Sequence, residues 1–182
     1  MKNSVKKEIE EIIEEEKLDC SIEEFQDKVD WDLISALQIL SEDFIRKFKN
    51  KVDWFYVSKY QKLSEDFIRE FQDKVFWHWI SIYQKLSEDF IREFMNKINW
   101  GDISFSQKLS ENFIKEFKDK VNWYRISEYQ KLSLYFILEF KDKVDWKRIE
   151  KYQNITKKDI EELEKQKLEK TRVKNRFQLI RF

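Results

Sequence analysis

A tryptophan returns every 23 residues along this chain, at Trp31, Trp54, Trp77, Trp100, Trp123 and Trp146, and its neighbours return with it. A fixed period in the range of about 20 to 50 residues marks a repeat array, in which each unit buries its apolar face only by stacking on the next. Self-alignment places the units at residues 17–39, 40–62, 63–85, 86–108, 109–131 and 132–154. Whatever the fold, about six copies of one short unit must share a continuous core.

The unit itself reads as two helices. The chain holds one glycine, Gly101, and no proline, and strand-and-hairpin folds need both at their turns. In the third unit Leu63, Phe67, Ile68, Phe71 and Val75 fall on one helical stripe, here termed helix A. Ser64 is placed to cap it, Glu65 and Asp66 suit the positive end of its dipole, and Lys74 suits the negative end. A second stripe, helix B, runs through Trp54, Val57, Tyr60 and Gln61 behind the capping residue Asp53. Each helix is expected to have about three turns, too few to be stable alone, so order must come from packing between units. A single continuous helix is the rival reading, but 23 is a multiple of neither 7 nor 11 and the stripes restart at each Ser and Asp. The expectation is an all-α, helix-turn-helix repeat solenoid of about six 23-residue units with helical caps at both ends. Residues 1–16 form an acidic N-terminal cap around Val5, Ile9, Ile12 and Ile13, residues 17–154 the repeats, and residues 155–182 a C-terminal cap and basic tail with Ile155, Ile160 and Leu163. Each recurring tryptophan is expected to anchor one layer, its loss costing roughly 3–5 kcal/mol.

The string Tyr83-Gln84-Lys85-Leu86-Ser87-Glu88-Asp89-Phe90-Ile91-Arg92-Glu93-Phe94, followed by Ile98-Asn99-Trp100, resembles the short tandem repeats of proteins encoded by giant and other large DNA viruses, which also occur in some bacteria and phages. The resemblance covers residues 17–154. It implies a viral setting, in a particle or against a host factor, and carries over no catalytic residue. The first unit departs from the pattern with Ser21 where later units have Phe, and the fourth with Gly101 and Ser106 in place of larger residues.

Charge and composition narrow the function classes. The 36 basic and 36 acidic residues cancel, which removes any global attraction to nucleic acid or anionic membranes. The ends differ: Glu8, Glu10, Glu11, Glu14, Glu15 and Glu16 crowd the first segment, and Lys165, Lys167, Lys170, Arg172, Lys174, Arg176 and Arg181 the last. Cys20 is the single cysteine, leaving no internal disulfide and no cysteine-based zinc site, and is expected to be buried. The N-terminal residues lack the apolar core of a signal peptide and no apolar run reaches spanning length, so a cytoplasmic protein, in host cytoplasm or virion if viral, is expected rather than a secreted one. With one histidine, His78, and no metal-ligand cluster, phosphate loop or nucleophile–base spacing, the sequence predicts no enzyme and no cofactor. The paired acids Glu42-Asp43, Glu65-Asp66 and Glu88-Asp89 sit in the first turn of helix A and read as dipole and capping residues.

Function is sought where the units differ. On helix B the recurring Trp, Ile, Ser, Tyr and Gln are expected on one side, and the positions one, two and five after each Trp on the other. Those varying positions hold Phe55, Tyr56, His78, Trp79, Ile82, Phe105, Tyr124 and Arg125, a candidate partner-binding strip. Helix B buried on both sides, or compositional drift without a partner, would equally place aromatics there. Helix A of the sixth unit carries Leu134, Tyr135 and Leu138 in place of charged residues. Either the tail folds back over them through Val173, Phe177 and Ile180, or they form a homo-oligomeric contact. The function expected is protein–protein interaction or scaffolding. The alternatives are a virion component assembling head to tail through its ends, and single-stranded nucleic-acid binding through the strip and the basic C-terminal region.

Overall fold

In the computed structural model, which describes the backbone of residues 3–179 and the side chains of residues 3–172, every regular element is helical. The chain divides into two compact units, Met1–Asn99 and Trp100–Phe182. The first holds α1 (Asn3–Glu15), α2 (Phe25–Lys28), α3 (Trp31–Leu37), α4 (Glu42–Lys47), α5 (Trp54–Tyr60), α6 (Glu65–Glu70), α7 (Trp77–Tyr83) and α8 (Glu88–Glu93). The second holds α9 (Trp100–Ser106), α10 (Glu111–Glu116), α11 (Trp123–Tyr129), α12 (Leu134–Glu139), α13 (Trp146–Arg148), a π-helical turn at Ile149–Gln153, and α14 (Lys157–Leu179). Even-numbered α2 to α12 are the A helices, odd-numbered α3 to α13 the B helices. Within each unit, B helices of successive repeats lie side by side.

The helices are shorter than the expected three turns. α6 spans only Glu65–Glu70 and ends because Phe71 leaves helical geometry at φ −114°, ψ 28°. The chain then closes one more turn, with the Lys74 and Val75 amides donating to the Phe71 carbonyl at 2.8 and 3.1 Å. That turn keeps Val75 on the stripe, so Leu63, Phe67, Ile68, Phe71 and Val75 are all buried. The predicted caps form: Ser64 Oγ accepts from the Phe67 amide, and Asp53 from the amides of Phe55 and Tyr56. Ser64→Ala should therefore cost about 1 kcal/mol, read as a lowered urea midpoint at unchanged slope.

Two recurring side chains tie one repeat to the next. Ser58 Oγ donates to the Trp54 carbonyl at 2.7 Å and accepts from the Phe76 amide at 2.9 Å. Gln61 reaches backward into the preceding repeat: Nε2 donates to the carbonyls of Ser35 and Gln38 at 2.9 and 2.8 Å, and Oε1 accepts from the Leu40 amide at 2.9 Å. Gln84 and Gln130 repeat the pattern. All of these are buried, so a helix-to-loop junction that would otherwise strand three backbone groups is satisfied from 21 to 26 residues away.

The first glutamate of two of the acidic pairs has a further use. Glu42 accepts the Ser64 amide hydrogen at 2.6 Å, and Glu65 that of Ser87 at 2.5 Å. Arg46 then pairs with Glu70 and Arg69 with Glu93, at 2.6 and 2.8 Å, a ladder of exposed ion pairs each worth little alone.

Three expectations are corrected. The tryptophans are half-buried rather than central; all but Trp146 lie beside two phenylalanines of the next repeat, as Trp54 does at 6.2 Å from Phe67 and 5.0 Å from Phe71. Tyr60 and Tyr83 do not face inward with Gln61 and Gln84 but are 54% exposed, because each closes its helix and the glutamine after it turns extended, at φ −84°, ψ 148° for Gln61. Cys20 is only half-buried.

The array is covered at both ends by the predicted caps. α1 buries Val5, Ile9 and Ile12, and its Glu8 accepts from the amide and hydroxyl of Ser41, the task Glu42 performs one repeat on. Ser21 opens the shortened first unit through a reciprocal cap with Glu24, whose carboxyl is held below the ordinary glutamate range chiefly by the Ser21 amide. At the other end Asn154 adopts left-handed geometry at φ 59°, Thr156 and Asp159 form a second such cap, and Ile160 is buried.

Candidate functional site

Helix B exposes a face only where the staple residues do not need it, and the repeats fill that face differently. In the first unit Phe55 is a hub. Its ring meets Tyr56 at 5.3 Å, Trp79 at 5.4 Å and Phe76 at 5.7 Å, with interplanar angles of 80 to 87° in all three, the edge-to-face geometry that aromatic quadrupoles favour. Phe55, Tyr56, Trp79 and Ile82 are half-buried, while His78 is exposed with its ring 4.5 Å from that of Trp79. Lys59 lies across the cluster, its Nζ 4.8 Å from the Trp79 and Tyr60 ring centres and 5.8 Å from Phe55. The hydrogen bond to Tyr60 raises the Lys59 pKa above the ordinary lysine value, against an opposing effect of burial. The ammonium therefore stays charged on an aromatic bed.

Phe76, Lys59 and Tyr60 belong to this cluster; Lys59, five residues after Trp54, falls on the face the sequence predicts to be free, whereas Phe76 and Tyr60 fall outside the predicted positions. The signal for Phe76 was a missing cap. Asp30, Asp53 and Asp145 all cap their B helices through the side chain, whereas Phe76 at the same position makes no such bond and is 48% exposed. A cap worth about 1 kcal/mol has given way to an aromatic contact with Phe55.

The remaining predicted positions lie in the second unit. Phe105 stands edge-on to Tyr129 at 4.6 Å. The Arg125 guanidinium is 5.3 Å from Phe105, 5.8 Å from Tyr129 and 5.9 Å from Tyr124. Arg148 stacks on Tyr124 at 4.0 Å and pairs with Glu128. Phe105 and Tyr124 are exposed and Arg125 is half-buried.

On α12 Leu134 and Tyr135 are exposed and Leu138 is half-buried. α14 packs against α12, with Lys141 bonded to Glu164 at 2.8 Å and the Lys167 ammonium 4.9 Å over the Tyr135 ring. Tyr135, Leu138 and Lys167 border a groove of about 420 Å³ in this unit. The side chains of Val173, Phe177 and Ile180, expected to cover the ridge, lie outside the described residues.

Among the described residues no three His, Cys, Asp or Glu side chains are grouped to hold a metal, and no helix is long and apolar enough to cross a membrane. Short helices in register, stapled from repeat to repeat and closed by terminal helices, define an all-α helical-repeat solenoid with an architecture suited to scaffolding or protein interaction. No protein-family model, curated protein or solved structure matches the chain.

Proposed function

We propose that the protein is a non-enzymatic interaction module that binds a protein partner through the aromatic faces of its B helices, and that it acts in a viral setting on a host or viral protein. The aromatic cluster around Phe55 carries the reading: Phe76 forgoes a helix cap to join it, and Trp79 and Phe105 occupy positions that the staples leave free. Rigid aromatic side chains held by their neighbours are the usual anchors of binding hot spots. The viral setting rests on the resemblance of the repeat motif alone. Assembly into a particle through the ends is less well supported, because α1 already occupies the place of a preceding A helix and satisfies Ser41 through Glu8.

Affinity capture from infected or native cells, with mass spectrometry, tests the proposal when run beside the double variant Trp79→Ser, Phe105→Ser. The expected result is a protein captured by the natural sequence and lost with the variant, at a melting temperature lowered by no more than about 4 °C. A collapsed melting temperature would mean that these rings are core, and equal capture by both chains would remove the faces as the contact.

A further inference from the structure

Two sets of lysines recur at fixed positions in the repeats. Of those in the turns after the A helices, three are paired across repeats: Lys51 with Asp27 at 3.6 Å, Lys97 with Asp73 at 3.0 Å, Lys143 with Asp119 at 3.1 Å. Those in the loops from helix B to the next helix A, Lys62, Lys85, Lys108 and Lys131, recur in four of the six repeats, are exposed, and have no ion pair among the described residues. Two residues before three of them stand Tyr60, Tyr83 and Tyr129, 44 to 54% exposed. Neither the core nor the staples use these side chains, so their recurrence is not explained by the fold.

In the first unit they meet. Lys59, Tyr60, Lys62, Tyr83 and Lys85 line a groove of about 580 Å³ between the second and third repeats, and no carboxylate lines it. Each tyrosine is propped from its own helix: Tyr56 stacks on Tyr60 at 6.1 Å and 15°, Trp79 on Tyr83 at 5.7 Å and 29°. The second unit repeats the chemistry, with Arg125 5.8 Å from the Tyr129 ring and Lys151 4.8 Å from that of Tyr152. Its one acid at the position of Lys59, Glu128, is taken by Arg148.

We infer that this tyrosine–lysine edge binds single-stranded nucleic acid, with the loop ammonium groups on phosphates and unpaired bases on the propped tyrosine rings. Sequence-tolerant single-strand binding needs those two elements together, a cationic track and stacking platforms. An acidic peptide would use the lysines but gain little from the tyrosines, and a duplex offers no free base face. The edge differs from the strip and basic tail that the sequence suggested; it shares Lys59 and Tyr60 with the aromatic cluster, but Lys62, Tyr83 and Lys85 are not assigned to the protein partner, so their variants test this proposal separately.

Fluorescence anisotropy of the full chain with labelled oligo(dT) and oligo(U) of about 20 nucleotides tests the inference. With the three groove lysines on phosphates, the salt slope is expected near about −2, which weakens binding about 15-fold between 50 and 200 mM salt. Tyr60→Leu with Tyr83→Leu should weaken it by roughly tenfold or more at a nearly unchanged slope. Lys62→Gln with Lys85→Gln, both exposed and outside the packing, should flatten the slope by about 1.4. No binding at low salt, unchanged binding by either variant in its folded form, or equal binding of poly-glutamate or of duplex DNA would overturn the inference.

Discussion

Replacing Gln61 with Leu is expected to lower the free energy of unfolding by on the order of 3 kcal/mol. Leucine is close in volume, so the buried site stays filled and the loss isolates the hydrogen bonds. Among the described residues those bonds, to the Ser35 and Gln38 carbonyls and the Leu40 amide, are the carboxamide's only ones. Removing them strands one donor and two acceptors at a junction between repeats, each costing about 1–3 kcal/mol less whatever water recovers. A net hydrogen bond is worth only about 1 kcal/mol, so the size of the effect comes from orphaning groups rather than from losing attraction. Urea denaturation of the variant measures it. A loss below about 1 kcal/mol would mean that the staple is dispensable.

Phe67→Ala should cost about 3–5 kcal/mol, and more than Trp54→Ala. Phe67 has no exposed surface. Its ring lies 4.7 Å from Phe71 and 6.2 Å from Trp54, with the Arg46 guanidinium 5.0 Å away across the repeat boundary. Phe71 is itself buried, so a cavity penalty is expected to add to the lost transfer energy. Trp54 is larger but half-buried, and its indole N–H donates at 3.0 Å to the Lys49 carbonyl in an exposed turn. Thermal unfolding of the two variants gives the order directly, and a larger loss for Trp54→Ala would restore the tryptophan as the anchor of the layer.

The sequence showed more of the fold than of the site. Period, helix type, caps at Ser64 and Asp53, the buried stripe from Leu63 to Val75 and both terminal helices were all legible, because each depends on residues within one turn or one repeat of one another. The helical wheel failed at Tyr60 because it assumes a helix that continues. The wheel puts Tyr60 and Gln61 on the same side as Trp54, but the helix stops between them and the extended Gln61 swings inward while Tyr60 stays out. Variation between units picked out Phe55, Trp79 and Phe105. It could not pick out Lys59 as a partner of Trp79, since that contact crosses between helices 20 residues apart. Nor could it separate a recurring staple from a recurring free side chain: Gln61 returns in every repeat and Lys62 in most, and only burial shows that one is framework and the other is not.

By itself the sequence determined the unit: two helices, their starts, and the apolar stripe that obliges neighbours to stack. Local propensity, capping and the hydrophobic period act over a few residues and so are written in linear order. Tertiary structure alone decided where the helices end and which carbonyl each glutamine satisfies. It also decided which tyrosines and lysines are left over for a partner, because hydrogen-bond completion and burial depend on groups about one repeat away.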